Sequence, residues 1–216
     1  MKRRTLALTG TALLVMAACL ALALQPGARR RGPPDDARLV PSTSLVLRSP
    51  AVVEGGALPK DYTGDGSAAT LPLQWSGAPA GTRSFAVIMH HLAPDAIKWY
   101  WVLYNIPADV TSLPKNVQGI GTLGNNSVNK ALGYAPPHSK GPGPKKYTYT
   151  VYALSAPPPV TVAPSEVSRE ALLSAMDGLI LASAQLNVIY TRDFGSNEDR
   201  PRPRRGEDGA PPRPPR

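Results

Sequence analysis

Two kinds of apolar run organise this chain. Phe85-Ala86-Val87-Ile88-Met89 is apolar throughout, the pattern of a strand buried on both faces. Residues 147–154 alternate instead. Tyr147, Tyr149, Val151 and Ala153 share one face, and Thr148, Thr150, Tyr152 and Leu154 share the other. Trp99 to Ile106 is aromatic and β-branched and stops at Pro107. Leu45-Val46-Leu47 and Asn187-Val188-Ile189-Tyr190 predict shorter strands at the two ends of the domain. Long connections rich in Pro and Gly, residues 61–72 and 114–144, lie between. Connections of that length inside a compact domain are commonly functional. One helix is predicted after Pro164, with Ser168 as its N-cap. Ala171, Leu172, Ala175, Leu179 and Ala182 repeat at helical spacing, and Gly178 marks a kink. Many strands with one late helical segment predict a mainly β domain with one or two peripheral C-terminal helices.

The ends differ from this middle. Lys2, Arg3 and Arg4 precede an apolar stretch from Leu6 to Leu24, and Ala21-Leu22-Ala23 has the small-x-small form of a signal-peptidase site. Residues 1–24 are therefore read as an export signal. The same run approaches the ~20 residues that span a bilayer, so an uncleaved anchor is the alternative. Met16-Ala17-Ala18-Cys19 also loosely resembles a lipoprotein box, which would put a lipid on Cys19. Each reading places the domain outside the cytoplasm, periplasmic or extracellular, with the membrane reached only through this segment. Cys19 is the single cysteine, so the domain has no disulfide to hold it. Residues 25–41, rich in Pro, Gly and Arg, read as a flexible linker. Residues 42–194 form the domain. Residues 195–216 hold Pro, Arg, Gly and acids with no large apolar side chain, and read as a disordered tail.

The net charge of +9 belongs to those flanks, since residues 39–194 carry 11 basic and 9 acidic side chains. A nucleic-acid binder would place its basic stripe on the folded domain, so no nucleic-acid partner is expected. Gly119-Ile120-Gly121-Thr122-Leu123-Gly124 matches G-x-G-x-x-G, but no strand precedes it directly and no amphipathic helix follows. It reads as a glycine-rich loop, and no cofactor is expected. His90 and His91 are adjacent on a strand and point to opposite faces, which argues against a shared metal ion. No G-x-S-x-G elbow is present, and the domain holds no thiol nucleophile, so no enzyme activity is expected.

Several phrases, in order, resemble the phosphatidylethanolamine-binding protein family in its bacterial Raf-kinase-inhibitor-like branch. They are Leu58-Pro59-Lys60-Asp61-Tyr62-Thr63-Gly64-Asp65-Gly66, then Leu71-Pro72-Leu73-Gln74-Trp75 to Pro79, then Thr82-Arg83-Ser84-Phe85. Trp99-Tyr100-Trp101-Val102-Leu103-Tyr104-Asn105-Ile106-Pro107, Lys145-Lys146-Tyr147 and Gln185 to Arg192 complete the series. The resemblance spans residues 44–192 and implies an antiparallel β-sandwich with one small anion pocket at a sheet end.

The pocket phrases depart from the family pattern. Its D-P-D-A-P is His90-His91-Leu92-Ala93-Pro94 here, its histidine before a tryptophan is Tyr100, and its H-R-Y is Lys145-Lys146-Tyr147. The retained Ala93-Pro94 is expected to be cis, and Gly133 to His138 stands for the family's proline-rich wall. On this reading His90, Tyr100 and Lys145 converge on a cavity bordered by Trp101, Pro136, Pro137 and Tyr147. Two carboxylates have been replaced by an imidazole and a leucine, and a lysine has been added. An open pocket would therefore favour an anion over an ammonium headgroup. The expected partner is a small anionic ligand or phospholipid headgroup. The alternative is a pocket filled by Leu92 and Tyr100, which would leave a protein-interaction or inhibitor module with a protein target.

Overall fold

The computed structural model describes residues 44–139 and 141–193. The segments read as leader, linker and tail lie outside these residues, and so do the expectations placed on them. Eight strands and one α-helix follow one another among the described residues. They are β1 (Val46–Arg48), β2 (Leu73–Ser76), β3 (Ser84–Leu92), β4 (Ile97–Pro107), β5 (Ser112–Leu113), β6 (Thr122–Leu123), β7 (Lys145–Leu154), α1 (Arg169–Ala175) and β8 (Ile180–Tyr190). All named strands pair antiparallel, in a three-stranded sheet of order β1-β2-β5 and a five-stranded sheet of order β6-β4-β3-β7-β8.

The run 85–89 has two buried faces because β3 lies at the centre of the larger sheet. Phe85, Val87 and Met89 enter the main core. Ala86 and Ile88 enter a second, smaller one. The main core fills the space between the sheets. Leu47, Leu73 and Trp75 come from the small sheet, and Trp101, Tyr149 and Val151 from the large one. Trp75 and Phe85 meet there with ring centroids 5.3 Å apart. The second core sits under α1, where Leu172 and Met176 cover Ile88, Val102, Tyr152 and Leu154. The alternation read along 147–154 thus sorts that strand between the two cores.

The helix is shorter than its spacing predicts. Ser168 is its N-cap, with the hydroxyl accepting from Ala171 N at 3.1 Å. The helix ends at Ala175, and Gly178 takes φ +72°. The chain then reverses, and Ile180 to Ala182 open β8. Leu179 and Ala182 continue the helical spacing by coincidence, because strand pairing with β7 claims that stretch. The expected cis bond at Ala93-Pro94 is not there, since no cis peptide occurs among the described residues. Instead Ala93 N donates to Ala96 O at 2.9 Å, closing a tight turn between β3 and β4.

Strand β4 carries two irregularities. Met89 pairs with Trp101 and His90 with Trp99, so Tyr100 bulges out of the ladder. A bulge inserts one residue and re-aims its neighbours. Tyr100 and Trp101, adjacent in sequence, consequently both belong to the main core. The second irregularity lies opposite Ala86, where Asn105 adopts φ 55°.

Truncation of Phe85, 1 % exposed between the sheets, is expected to cost about 3–5 kcal/mol, whereas a surface change away from special features stays within about 0.5 kcal/mol. Urea denaturation of Phe85→Ala beside Val53→Ala, which is 75 % exposed, checks the contrast. Equal losses would mean that the space between the sheets is not the main source of stability.

Candidate functional site

Polar and aromatic groups collect at the end of the sandwich where β3 stops and β7 begins. Lys145 is the first residue of β7, half-buried, and shares a strand face with Tyr147. Its ammonium lies near the bend at Gly141, where an added Cβ would stand 3.7 Å from Nζ. Tyr147 packs edge-on against Tyr100, ring centroids 5.2 Å apart. Their hydroxyls lie close enough to influence one another's ionisation. Burial raises both pKa values, and the pairing pushes Tyr147 further up. Both phenols therefore remain protonated donors at neutral pH. Ala135 N donates to the bulged Tyr100 carbonyl at 2.8 Å, which fixes Pro136 and Pro137 beside it.

Strand parity decides between the two histidines. His91 lies against Tyr147, ring centroids 5.2 Å apart, and its Nδ1 is 2.8 Å from Lys146 O. A carbonyl only accepts, so Nδ1 carries the proton and Nε2 is the nitrogen left for a ligand. His90 pairs with Thr148 across the ladder, is 2 % exposed and belongs to the opposite sheet face. The expectation that His90 joins Lys145 and Tyr100 is therefore wrong. The imidazole on their face is that of His91. Trp101 is fully buried between the sheets and edge-on to Tyr134, ring centroids 6.1 Å apart. Leu92 is 39 % exposed and fills nothing.

Tyr134 and Tyr149 extend the phenol cluster inward. Tyr134 donates to Tyr62 O at 2.7 Å. Tyr149 is fully buried with its hydroxyl near that of Tyr134, though without a well-formed hydrogen bond. Burial first, and the neighbouring phenols second, raise the Tyr149 pKa well above its ordinary value.

Sequence reasoning missed the ionic cluster beside these phenols. Asp65 receives Arg192 Nε at 3.0 Å and stands 3.3 Å from His138 Nδ1 on the same oxygen. Tyr190 donates to its other oxygen. Burial opposes ionisation of Asp65, but Tyr190, Arg192 and His138 together outweigh it and hold the carboxyl below its ordinary value of 3.8. Tyr190 is the register partner of Lys145, which sets this cluster next to the phenols. A groove of about 490 Å³ opens beside it, lined by Leu58, Lys60, Asp65, Tyr190 and Arg192 among others. The phrases holding Asp65, His138, Tyr190 and Arg192 are all visible in the sequence. No local signal joins positions 125 residues apart.

The two antiparallel sheets and the helix over one of them define a mainly β fold of the phosphatidylethanolamine-binding protein class. The sequence profile described as phosphatidylethanolamine-binding protein matches residues 48–191, and the chain belongs to that family. A UPF0098 protein of Methanothermobacter thermautotrophicus is 36 % identical over 156 residues, covering 68 % of this chain and 99 % of the relative. The crystal structure of the phosphatidylethanolamine-binding protein homologue CT736 from Chlamydia trachomatis superposes with a TM-score of 0.64 at 30 % identity, covering 70 % of this chain and all of that one. Escherichia coli YbcL gives 0.61 at 28 % identity, covering 69 % and 99 %.

The Asp65 cluster makes acid stability testable. A carboxyl with a lowered folded pKa contributes stability that is present above 3.8 and lost as pH falls through the lowered value. Asp65→Ala is expected to cost about 1.5–3 kcal/mol at pH 7, the range for hydrogen bonds to a charged group. In urea titrations the gap between wild type and variant should narrow below pH 3.8. A gap of constant size would mean that the carboxylate charge contributes nothing.

Proposed function

We propose that this protein is an exported, non-enzymatic binding protein whose site takes a small anion, such as phosphate or a phosphorylated headgroup. The observation that carries the reading is the grouping of Lys145 with the Tyr100–Tyr147 hydroxyl pair and His91 on one sheet face. Lys145 and the phenols donate hydrogen bonds, His91 Nε2 does so once the ring is protonated, and the aspartates of the family phrase are absent from this stretch. Export rests on the basic and apolar N-terminal segment, with Cys19 as the lipid-bearing alternative.

Calorimetric titration with phosphate tests the site. Lys145→Ala should weaken binding by about 1.5–3 kcal/mol. Wild-type binding should tighten from about pH 8 to about 5.5, the interval in which an imidazole gains its charge. His91→Ala should flatten that dependence, and His90→Ala should not. Absence of phosphate binding at the acidic end of that range would sink the reading. Mass spectrometry of the native protein should find a start near Leu24 or a lipid on Cys19, and an intact Met1 start in the cytoplasm would refute export.

A second reading is supported by the edge-on packing of Tyr100 and Tyr147, which are 8 % and 1 % exposed. Two buried phenols packed on one another fill the site, and the domain then acts as an interaction or inhibitor module for a protein target. Binding unchanged in Lys145→Ala would favour it.

A further inference from the structure

Two loops that wall the candidate site share one carboxylate. The loop after Leu58 carries Gly64 and Asp65, and the loop after Gly133 carries Pro136, Pro137 and His138. Gly64 N donates to Pro137 O at 2.8 Å, and the loops pass so closely that a Cβ on Gly64 would stand 2.8 Å from His138 Cβ and Nδ1. Glycine is required there by space. The imidazole of His138 consequently lies across the first loop with Nδ1 3.3 Å from Asp65. The same carboxylate holds Tyr190 and Arg192 at the end of β8, and Tyr190 faces Lys145 in the ladder.

We propose that Asp65 is a positioning residue for the site, and that His138 makes its hold on the proline-bearing loop pH-dependent. The reasoning rests on the proposed anion site only for its use, because the latch exists without any ligand. A neutral imidazole offers Asp65 a hydrogen bond, and a protonated one adds a full charge. Asp65 is held ionised by its other partners, so the ion pair forms as pH falls. Arg192, just after β8, and Lys60 are the cations that line the same groove as Asp65, and Lys145 stands near Gly141. Asp65 is in direct contact with His138 and its attraction is the shortest-ranged of these. The acidic form therefore clamps Pro136 and Pro137 onto the loop that bears Gly64, while the neutral form relaxes them.

Hydrogen–deuterium exchange by mass spectrometry on the full chain, with no phosphate present, tests the latch directly. Protection of peptides covering residues 133–139, corrected for intrinsic exchange, should rise about two- to fivefold from about pD 7.5 to about 5.5, the range set by one half-exposed ion pair. His138→Ala, which removes a side chain 44 % exposed and so leaves the fold intact, should abolish the rise. Asp65→Asn should abolish it and lower protection at both values. The same rise in His138→Ala, or full protection in Asp65→Asn, would overturn the proposal. Phosphate titration of the same samples separates the two ideas. A wild type that binds no phosphate refutes the anion site, while the exchange result still decides the latch.

Discussion

The burial of β3 on both faces is the constraint on which the rest of this domain depends. A strand with apolar residues on each side needs a layer above and a layer below. The small sheet supplies one through Leu47, Leu73 and Trp75. The helix supplies the other through Leu172 and Met176. At about 25 cal/mol per Å² of apolar surface, neither face can be left to water. The flanking strands β4 and β7 inherit the same two-sided demand, and their alternation settles which side chain enters which core.

That demand is relaxed only where β3 runs out. His90, His91 and Leu92 end it, and Leu92 already faces solvent. The β4 bulge at Tyr100 falls at this level and sends two successive aromatic residues into the same layer. Beside them the phenols of Tyr134, Tyr147 and Tyr149 crowd together, and after burial the neighbouring phenols raise the pKa values of Tyr147 and Tyr149. An environment of buried neutral hydroxyls with a cation at the rim differs in kind from one built of carboxylates. It donates hydrogen bonds without the desolvation cost of a buried charge. Among the described residues the one partly buried carboxylate, Asp65, is occupied in holding Tyr190, Arg192 and His138.

The strands at residues 85–89, 99–106 and 147–154 are legible in the sequence because their patterns are local. Each period of two can be read without knowing the partner strand. The helix cap at Ser168 is legible for the same reason, since Ser168 and Ala171 lie within one turn. Lys145, Tyr147, Tyr100 and the two prolines are reached through their phrases, and the structure packs Tyr100 on Tyr147 and ties the residue before the prolines to the Tyr100 carbonyl. The opposition of His90 to His91 is equally local, but it does not say which of the two shares a face with Lys145. The register with Thr148 alone assigns each histidine to a face.

Composition and periodicity by themselves determined a mainly β domain and the strands of its centre. Residue phrases determined the family. Only the tertiary structure decided which imidazole shares a face with Tyr147, where the helix yields to β8, and that Asp65 meets Tyr190, Arg192 and His138. Side-chain alternation is written into consecutive residues, whereas ladder register, bulges and loop contacts depend on pairings as distant as 55 and 125 positions. Those pairings form only when the two cores close, and the candidate site is made of them.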